Sequence, residues 1–283
     1  MPLFGAHMSV AGGLHLAFER ILCVQGEALQ VFTRNQRQWH AAPISSAEQI
    51  LFQKEREKWG EGPVAAHNSY LINLASLKEE TREKSIQAMA AEIERVAALN
   101  IPYLVMHPGS HGGAGAEAGL DRFVDGLDKA LERSVQGNKV MVLIENTAGQ
   151  GTGLGSTFSE INYMITTSKF WDRLGVCLDT CHLFAAGYDF RTQKTYEETF
   201  ARFDREVGVD KIKFFHINDS KKALGSRVDR HEHIGKGEIG LEGFRNLVND
   251  GRFCHHPMTL ETPKGNDLLE DIENLAVLKS LLR

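Results

Sequence analysis

The chain is 283 residues long, 42% hydrophobic and 24% charged, with a formal net charge of −5. That suits a single α/β domain over residues 1–283 with a sizeable core, and the lack of any apolar run of about 18 residues excludes a membrane-spanning helix. The start, MPLFGAHMSV, has no signal-peptide character, and the four cysteines form neither a zinc-finger spacing nor a disulfide framework, so a reducing cytoplasm is expected.

From the N-terminus onward, short apolar runs alternate with loops and amphipathic stretches. Runs of strand length cover residues 3–6, 28–32, 64–66, 103–106, 140–144, 175–178, 213–215 and 258–260. Helical spacing is clear in 84–100, where Ile86, Met89, Ala90, Ile93, Val96 and Ala97 recur, and again in 120–134 and 268–282. Eight alternations in this length predict a (β/α)8 TIM barrel rather than an open doubly wound sheet. The run Val140 to Ile144 is apolar on both faces, as in a buried parallel strand, and Glu145 follows directly. A carboxylate there is costly unless something pairs with it or binds it.

The strand ends are where chemistry collects. The first strand runs into His7, the third into His67, the fourth into His107 and the fifth into Glu145. The sixth ends at Asp179 with His182 three residues on, the seventh at His216 and the eighth at Glu261. Active sites of such barrels lie at the C-terminal ends of the strands. Any one of these histidines, alone, is more simply a structural residue. Seven strands presenting imidazole or carboxylate on one face are the ligand set of zinc and related divalent ions. Cations bound there also answer the acidic balance of the chain, which otherwise speaks against a nucleic-acid partner.

Other stretches need weighing one by one. In Asp179-Thr-Cys-His182 both ligand-type residues are expected in a turn beyond the strand, with Cys181 packing inward and Cys177 inside the strand. Asp229 and His231 stand at i and i+2 in a loop, with His233 a rival to His231 and Glu232 facing solvent. Gly149, Gly151, Gly153 and Gly155 lack the spacing of a phosphate cradle and predict a turn that needs backbone freedom. In Phe32-Thr-Arg-Asn-Gln-Arg-Gln-Trp39, Arg34 and Arg37 are candidates for phosphate contact. Tyr70 and Leu71 are candidates to wedge or stack on bases, or else to pack at the start of a helix.

Taken together, GAHMS (5–9), FTRNQRQW (32–39), AHNSYLINLA (66–75), MHPGSH (106–111), IENTAGQG (144–151), CLDTCHLFAAGYD (177–189), FHINDS (215–220), DRHEHIGKGEIG (229–240) and LETP (260–263) span the whole chain. With these segments the sequence resembles the endonuclease IV family of apurinic/apyrimidinic endonucleases. The resemblance implies a barrel holding three zinc ions, with manganese able to substitute. His67, His107 and Glu145 would bind one ion. Glu145 would bridge to a second, completed by Asp179, His216 and Glu261. His182, Asp229 and His231 would hold the third, which favours His231 over His233 by analogy. His7 would line the phosphate pocket.

The same resemblance implies hydrolysis of the phosphodiester 5′ to an abasic site in duplex DNA, leaving a 3′-hydroxyl and a 5′-deoxyribose phosphate. Glu145 and Glu261 would be the catalytic carboxylates, and Arg37, Tyr70 and Leu71 the DNA contacts, in a monomeric protein. Three dications outweigh four carboxylates, giving a focused positive site without a basic surface. The rival is a divalent-metal sugar isomerase or epimerase, whose barrels gather similar residues. Such enzymes use fewer ligands, and the Asp229/His231 pair favours the nuclease.

Overall fold

Successive side chains of a strand point to opposite faces, so every second residue of a barrel strand faces inward. Ala65, Val105, Leu143, Cys177 and Phe214 form a small apolar cluster of their own, distinct from the large cluster that includes residues under the helices. Two residues further along the same segments come His67, His107, Glu145, Asp179 and His216. Period-two alternation thus places the ligand-type side chains on the inward face, one layer nearer the C-terminal rim. The apolar layer below acts as their floor.

The computed structural model describes residues 1–135, 137 and 139–283. In chain order the elements are β1 (Leu3–Met8), α1 (Leu16–Cys23), β2 (Ala28–Val31), α2 (Ser46–Trp59), β3 (Val64–His67), α3 (Glu79–Ala98), β4 (Tyr103–Met106), α4 (Ala116–Arg133), β5 (Met141–Glu145) and α5 (Phe158–Thr167). They continue with β6 (Leu174–Asp179), α6 (Thr180–Ala185), α7 (Gln193–Glu206), β7 (Ile212–His216), β8 (Asp219–Ser220), β9 (His231–Glu232), α8 (Gly240–Val248), β10 (Pro257–Leu260) and α9 (Leu269–Ser280). The parallel strands close in the order β1-β10-β7-β6-β5-β4-β3-β2, the expected TIM barrel, while β8 and β9 form a separate antiparallel ribbon. At the β1–β2 seam a Cβ on Gly5 would lie 1.6 Å from the Ala28 carbonyl oxygen, so only glycine allows that register.

Several boundaries shift. The second strand stops at Val31 instead of 32, and Glu145, Asp179 and His216 are the last paired residues of their strands rather than residues beyond them. Sequence patterning ends a strand at the first charge, but the backbone ladder continues because its hydrogen bonds do not depend on side-chain polarity. Asp179 and His182 do not share a turn. Asp179 caps α6, its carboxylate accepting the His182 N–H at 2.7 Å, so the three-residue spacing is that of a helix N-cap. Tyr70 and Leu71 do not start a helix, because α3 begins only at Glu79. The side chains of Ser69 and Asn73 accept the N–H groups of Leu71 and Ala75, offering the backbone a turn instead. Gly149, Gly151 and Gly155 do adopt positive φ, as a turn requires, whereas Gly153 does not.

The connection from β7 to α8 is organised by one buried carboxylate. Asp219 accepts backbone N–H groups from Ser220, Gly235, Gly237 and Ile239 at 2.7, 2.9, 3.1 and 2.9 Å. Asp219→Asn sets an amide NH2 against those donors. It is expected to cost about 2–3 kcal/mol, a fall in Tm of roughly 5–10 °C in a thermal melt. A melt identical to that of the parent chain would show that the loop holds itself.

Candidate metal centre

The inward layer, joined by Glu261, by His182 of α6, by Asp229 of a loop and by His231 of β9, forms three groups of ligand-type atoms, two of which share one carboxylate; a fourth brings Cys181 to Asp179 and His231. His67, His107 and Glu145 form the first; Glu145, Asp179, His216 and Glu261 the second; His182, Asp229 and His231 the third. Within each group the atoms lie within 4.8 Å of one another. Glu145 divides its oxygens: Oε2 lies 3.0 Å from His67 Nε2 and 3.1 Å from His107 Nε2, and Oε1 lies 3.0 Å from His216 Nδ1. In the third group His182 Nε2 is 3.1 Å from Asp229 Oδ2, and His231 Nε2 is 3.3 Å from Asp229 Oδ1. All nine sequence-derived candidates therefore converge. His233 does not join them, its Nδ1 lying 3.1 Å from the Asn274 amide nitrogen.

Backbone carbonyls orient the imidazoles. His67 Nδ1 donates to Asn68 O, His182 Nδ1 to Asn146 O and His231 Nδ1 to Glu261 O, at 2.8, 3.0 and 3.1 Å. Each bond leaves Nε2 as the lone-pair nitrogen, aimed into the groups. His216 is reversed: its Nε2 donates to Gln30 Oε1 at 2.7 Å, freeing Nδ1.

This arrangement tests whether cations fit. Lone pairs facing carboxylate oxygens at about 3 Å repel unless a positive charge lies between them. Among the described residues His231 Nε2 is buried with no hydrogen-bond partner, and a cation held with His182 and Asp229 would satisfy it. The residues fit divalent ions.

The same need for positive charge shows in protonation: against burial, Asp179, Asp229 and Glu145 hold the His182 imidazole well above its usual pKa, and Cys177, Glu261 and Glu145 do so for His216. Burial by itself would push the Glu145 carboxyl up, but His107, His216 and His182 around it hold it well below the usual carboxylate range. Glu261 meets the same burial and is held low by His216 and His7. Both are thereby held in the ionised form, the one in which a carboxylate can bind a cation. Burial pushes the Cys177 and Cys181 thiols up to about 12. Cys181 comes near Asp179 and His231 but is a neutral, wholly buried thiol, as expected of a packing residue.

Three polar residues that sequence reasoning passed over complete the site. Asn146 accepts the Asp179 N–H at 2.7 Å, and Asn218 donates to Asp179 Oδ2 at 2.8 Å while accepting the Glu261 N–H at 2.7 Å. Gln30 donates to Glu261 Oε1 at 2.6 Å and contacts His7 Nδ1 at 3.0 Å. A signal for Gln30 was present: an amide in the middle of the apolar run Ala28-Leu-Gln-Val31 must be bonded to something. Gln30→Leu keeps the volume and removes the contacts to Glu261, His7 and His216, so metal affinity is expected to fall about 10- to 100-fold in competition with a chromophoric chelator. Undiminished affinity would mean His216 and Glu261 are oriented without it.

The rim residues divide. Arg37 is exposed in the loop after β2, whereas Arg34 is buried, so Arg34 is not a free phosphate contact. Arg34 points inward because Glu92 of α3 lies there, 3.0 Å from its Nε. Tyr70 is 66% exposed, with its ring 5.8 Å from those of both His67 and His107. Leu71 is half-buried beside it.

Residues 26–281 match a family model described as a xylose isomerase-like TIM barrel. The crystal structure of endonuclease IV from Thermus thermophilus superimposes with a TM-score of 0.88 at 36% identity, covering 99% of this chain and 98% of that one. The "Probable endonuclease 4" of Chloroflexus aggregans is 56% identical over 283 residues, covering 100% of this chain and 99% of the relative. The chain belongs to the endonuclease IV family. The protein of the same description from Geobacter sulfurreducens is 49% identical, covering 99% of this chain and 94% of the relative. With endonuclease IV membership goes a hydrolase acting as a nuclease in DNA repair. The isomerase alternative is not favoured. A D-tagatose 3-epimerase-like protein matches with a TM-score of 0.74 but only 18% identity, which speaks for the shared barrel alone.

Proposed function

We propose that residues 1–283 act as one monomeric, cytoplasmic barrel domain. It hydrolyses the phosphodiester 5′ to an abasic site in duplex DNA, leaving a 3′-hydroxyl and a 5′-deoxyribose phosphate. Free cysteines at positions 23, 177, 181 and 254 fit a reducing compartment, and among the described residues no helix is long and apolar enough to cross a membrane. The observation that carries the reading is the sharing of Glu145 between two groups of ligand-type atoms, with a third group alongside.

Three zinc ions would be held by His67, His107 and Glu145, by Glu145, Asp179, His216 and Glu261, and by His182, Asp229 and His231, with manganese a possible substitute at the same donors. Zinc in such a site supplies Lewis acidity and lowers the pKa of water to roughly 7. Glu145 and Glu261 would orient the attacking water in line with phosphorus, Glu261 being steadied by Gln30 and by the Asn218 contact to its backbone. Asn218 holds the Asp179 carboxylate against rotation, and Asn146 pins the Asp179 backbone. His7, packed against Phe32 with ring centroids 4.3 Å apart, would line the phosphate pocket. Arg37 would contact the backbone, and Tyr70 and Leu71 would fill the gap left by the missing base, where no pairing opposes extrusion of the sugar.

The test uses the as-purified protein and a labelled duplex with one abasic analogue, beside a matched intact duplex. Cutting confined to the damaged duplex, on the 5′ side and leaving a 3′-hydroxyl, is the expected result. Failure to cut after zinc and manganese are supplied would overturn the proposal.

A further inference from the structure

Two residues of α3 hold the segment that carries Arg37. Glu92 is 1% exposed; its Oε2 lies 3.0 Å from Nε of buried Arg34, and its Oε1 accepts from the Thr33 hydroxyl. One turn on, Arg95 donates to the Thr33 hydroxyl at 3.2 Å and to the carbonyls of Thr33 and Ala42, touching both ends of the segment. Arg34 in turn donates through Nη1 to the Trp39 carbonyl at 2.9 Å, closing residues 34–39 upon themselves. Asn35 Oδ1 accepts the Arg37 N–H at 2.9 Å within that closed loop. One further bond ties this segment to its neighbour. Ser69 Oγ donates to the Gln36 carbonyl at 3.0 Å and accepts the Leu71 N–H at 3.2 Å.

Stability is a poor reason for this arrangement. The attraction within a buried Glu–Arg pair barely offsets the cost of removing both charges from water, and apolar side chains of the same size serve a core as well. Here Arg34 Nη2 and Glu92 Oε2 even lack aligned hydrogen-bond partners among the described residues. What the pair does supply is direction. Phe32 and Trp39 pack at the two ends of the segment, but residues 35–38 between them are polar and largely exposed, and the anchors give that stretch its shape.

We propose that Glu92, with Arg34, Arg95 and Ser69, forms a positioning unit that sets the Arg37 segment and the Tyr70–Leu71 turn at a fixed spacing, so that both engage one duplex together. This rests on the reading of Arg37, Tyr70 and Leu71 as DNA contacts. Two contacts on a common rigid frame bind as one event, and a loosened frame makes the second contact pay its own ordering cost.

The experiment measures steady-state cleavage of an abasic duplex by the metal-loaded protein carrying Ser69→Ala, Arg34→Met with Glu92→Met, or Arg37→Ala. Each of the first two is also combined with Arg37→Ala, and metal content and Tm are recorded for all. Ser69→Ala and the apolar pair are expected to raise KM roughly five- to twentyfold while kcat stays within about twofold. Ser69→Thr should restore the parent KM. On top of Arg37→Ala the apolar pair should add less than about twofold, since the loop then carries no contact to misplace, while Ser69→Ala keeps the part of its effect that acts through the Leu71 N–H. Unchanged KM, or an effect of the apolar pair that multiplies with Arg37→Ala, would overturn the positioning unit while leaving the DNA contacts standing. If Arg37→Ala itself leaves KM unaltered, the contact reading fails and takes the proposal with it. Should the apolar pair lower Tm, Ser69→Ala, which removes no charge, decides alone.

Discussion

Glu145→Gln is expected to lower kcat/KM on an abasic duplex by about three orders of magnitude, the equivalent of roughly 4 kcal/mol of lost transition-state stabilisation. The reason lies in how its oxygens are divided. Oε2 faces His67 and His107 while Oε1 faces His216, at separations of 3.0 to 3.1 Å. A carboxamide keeps one acceptor and turns an NH2 toward the other group, so one of the two must lose its shared ligand. Metal content by elemental analysis should therefore fall by at least one ion per chain. Damaged-duplex affinity should change less than about tenfold, because the exposed rim is untouched. A variant that keeps its full metal complement and its rate would remove Glu145 from the bridging position.

Removing the metals from the parent protein is expected to be as severe. Nine ligand-type side chains would then face one another with nothing between them, among them Glu145, Asp179, Glu261 and Asp229. Dialysis against a chelator should abolish cleavage, and zinc should restore it. Stability should fall as well, since ions that bind only the folded state add RT ln(1 + [L]/Kd). At a thousandfold over Kd one site contributes about 4 kcal/mol, or roughly 8 °C in Tm for a chain of this size. Unaltered activity and melting, with the metals shown to be gone, would mean that these residues are satisfied by protons and hydrogen bonds alone.

Much of this could be read from residues close together in the chain. Strand length, β-branched runs and helical spacing are local, and they were enough for the barrel and for the strand ends that bear His67, His107, Glu145, Asp179, His216 and Glu261. Local also is the alternation that puts these side chains on one face, because a period of two follows from the pleat of a single strand. Arg34 marks where local reading stops: close to Arg37 in sequence it has the same chemistry, and only the approach of α3 gives it a buried carboxylate to turn toward.

By itself, then, the sequence determined the barrel, the layer of ligand-type side chains at its rim and the family to which the chain belongs. Only the tertiary structure decided which side chains share a group, why His231 enters and His233 turns to Asn274, and that Tyr70 stands exposed in a turn above two histidines. It also decided the place of Gln30, which meets Glu261 across 231 residues of sequence and His216 across 186. Such contacts depend on closing β1 against β10 and on the stagger of the strands. No window of neighbouring residues records that closure, because it is a property of the whole ring of hydrogen bonds.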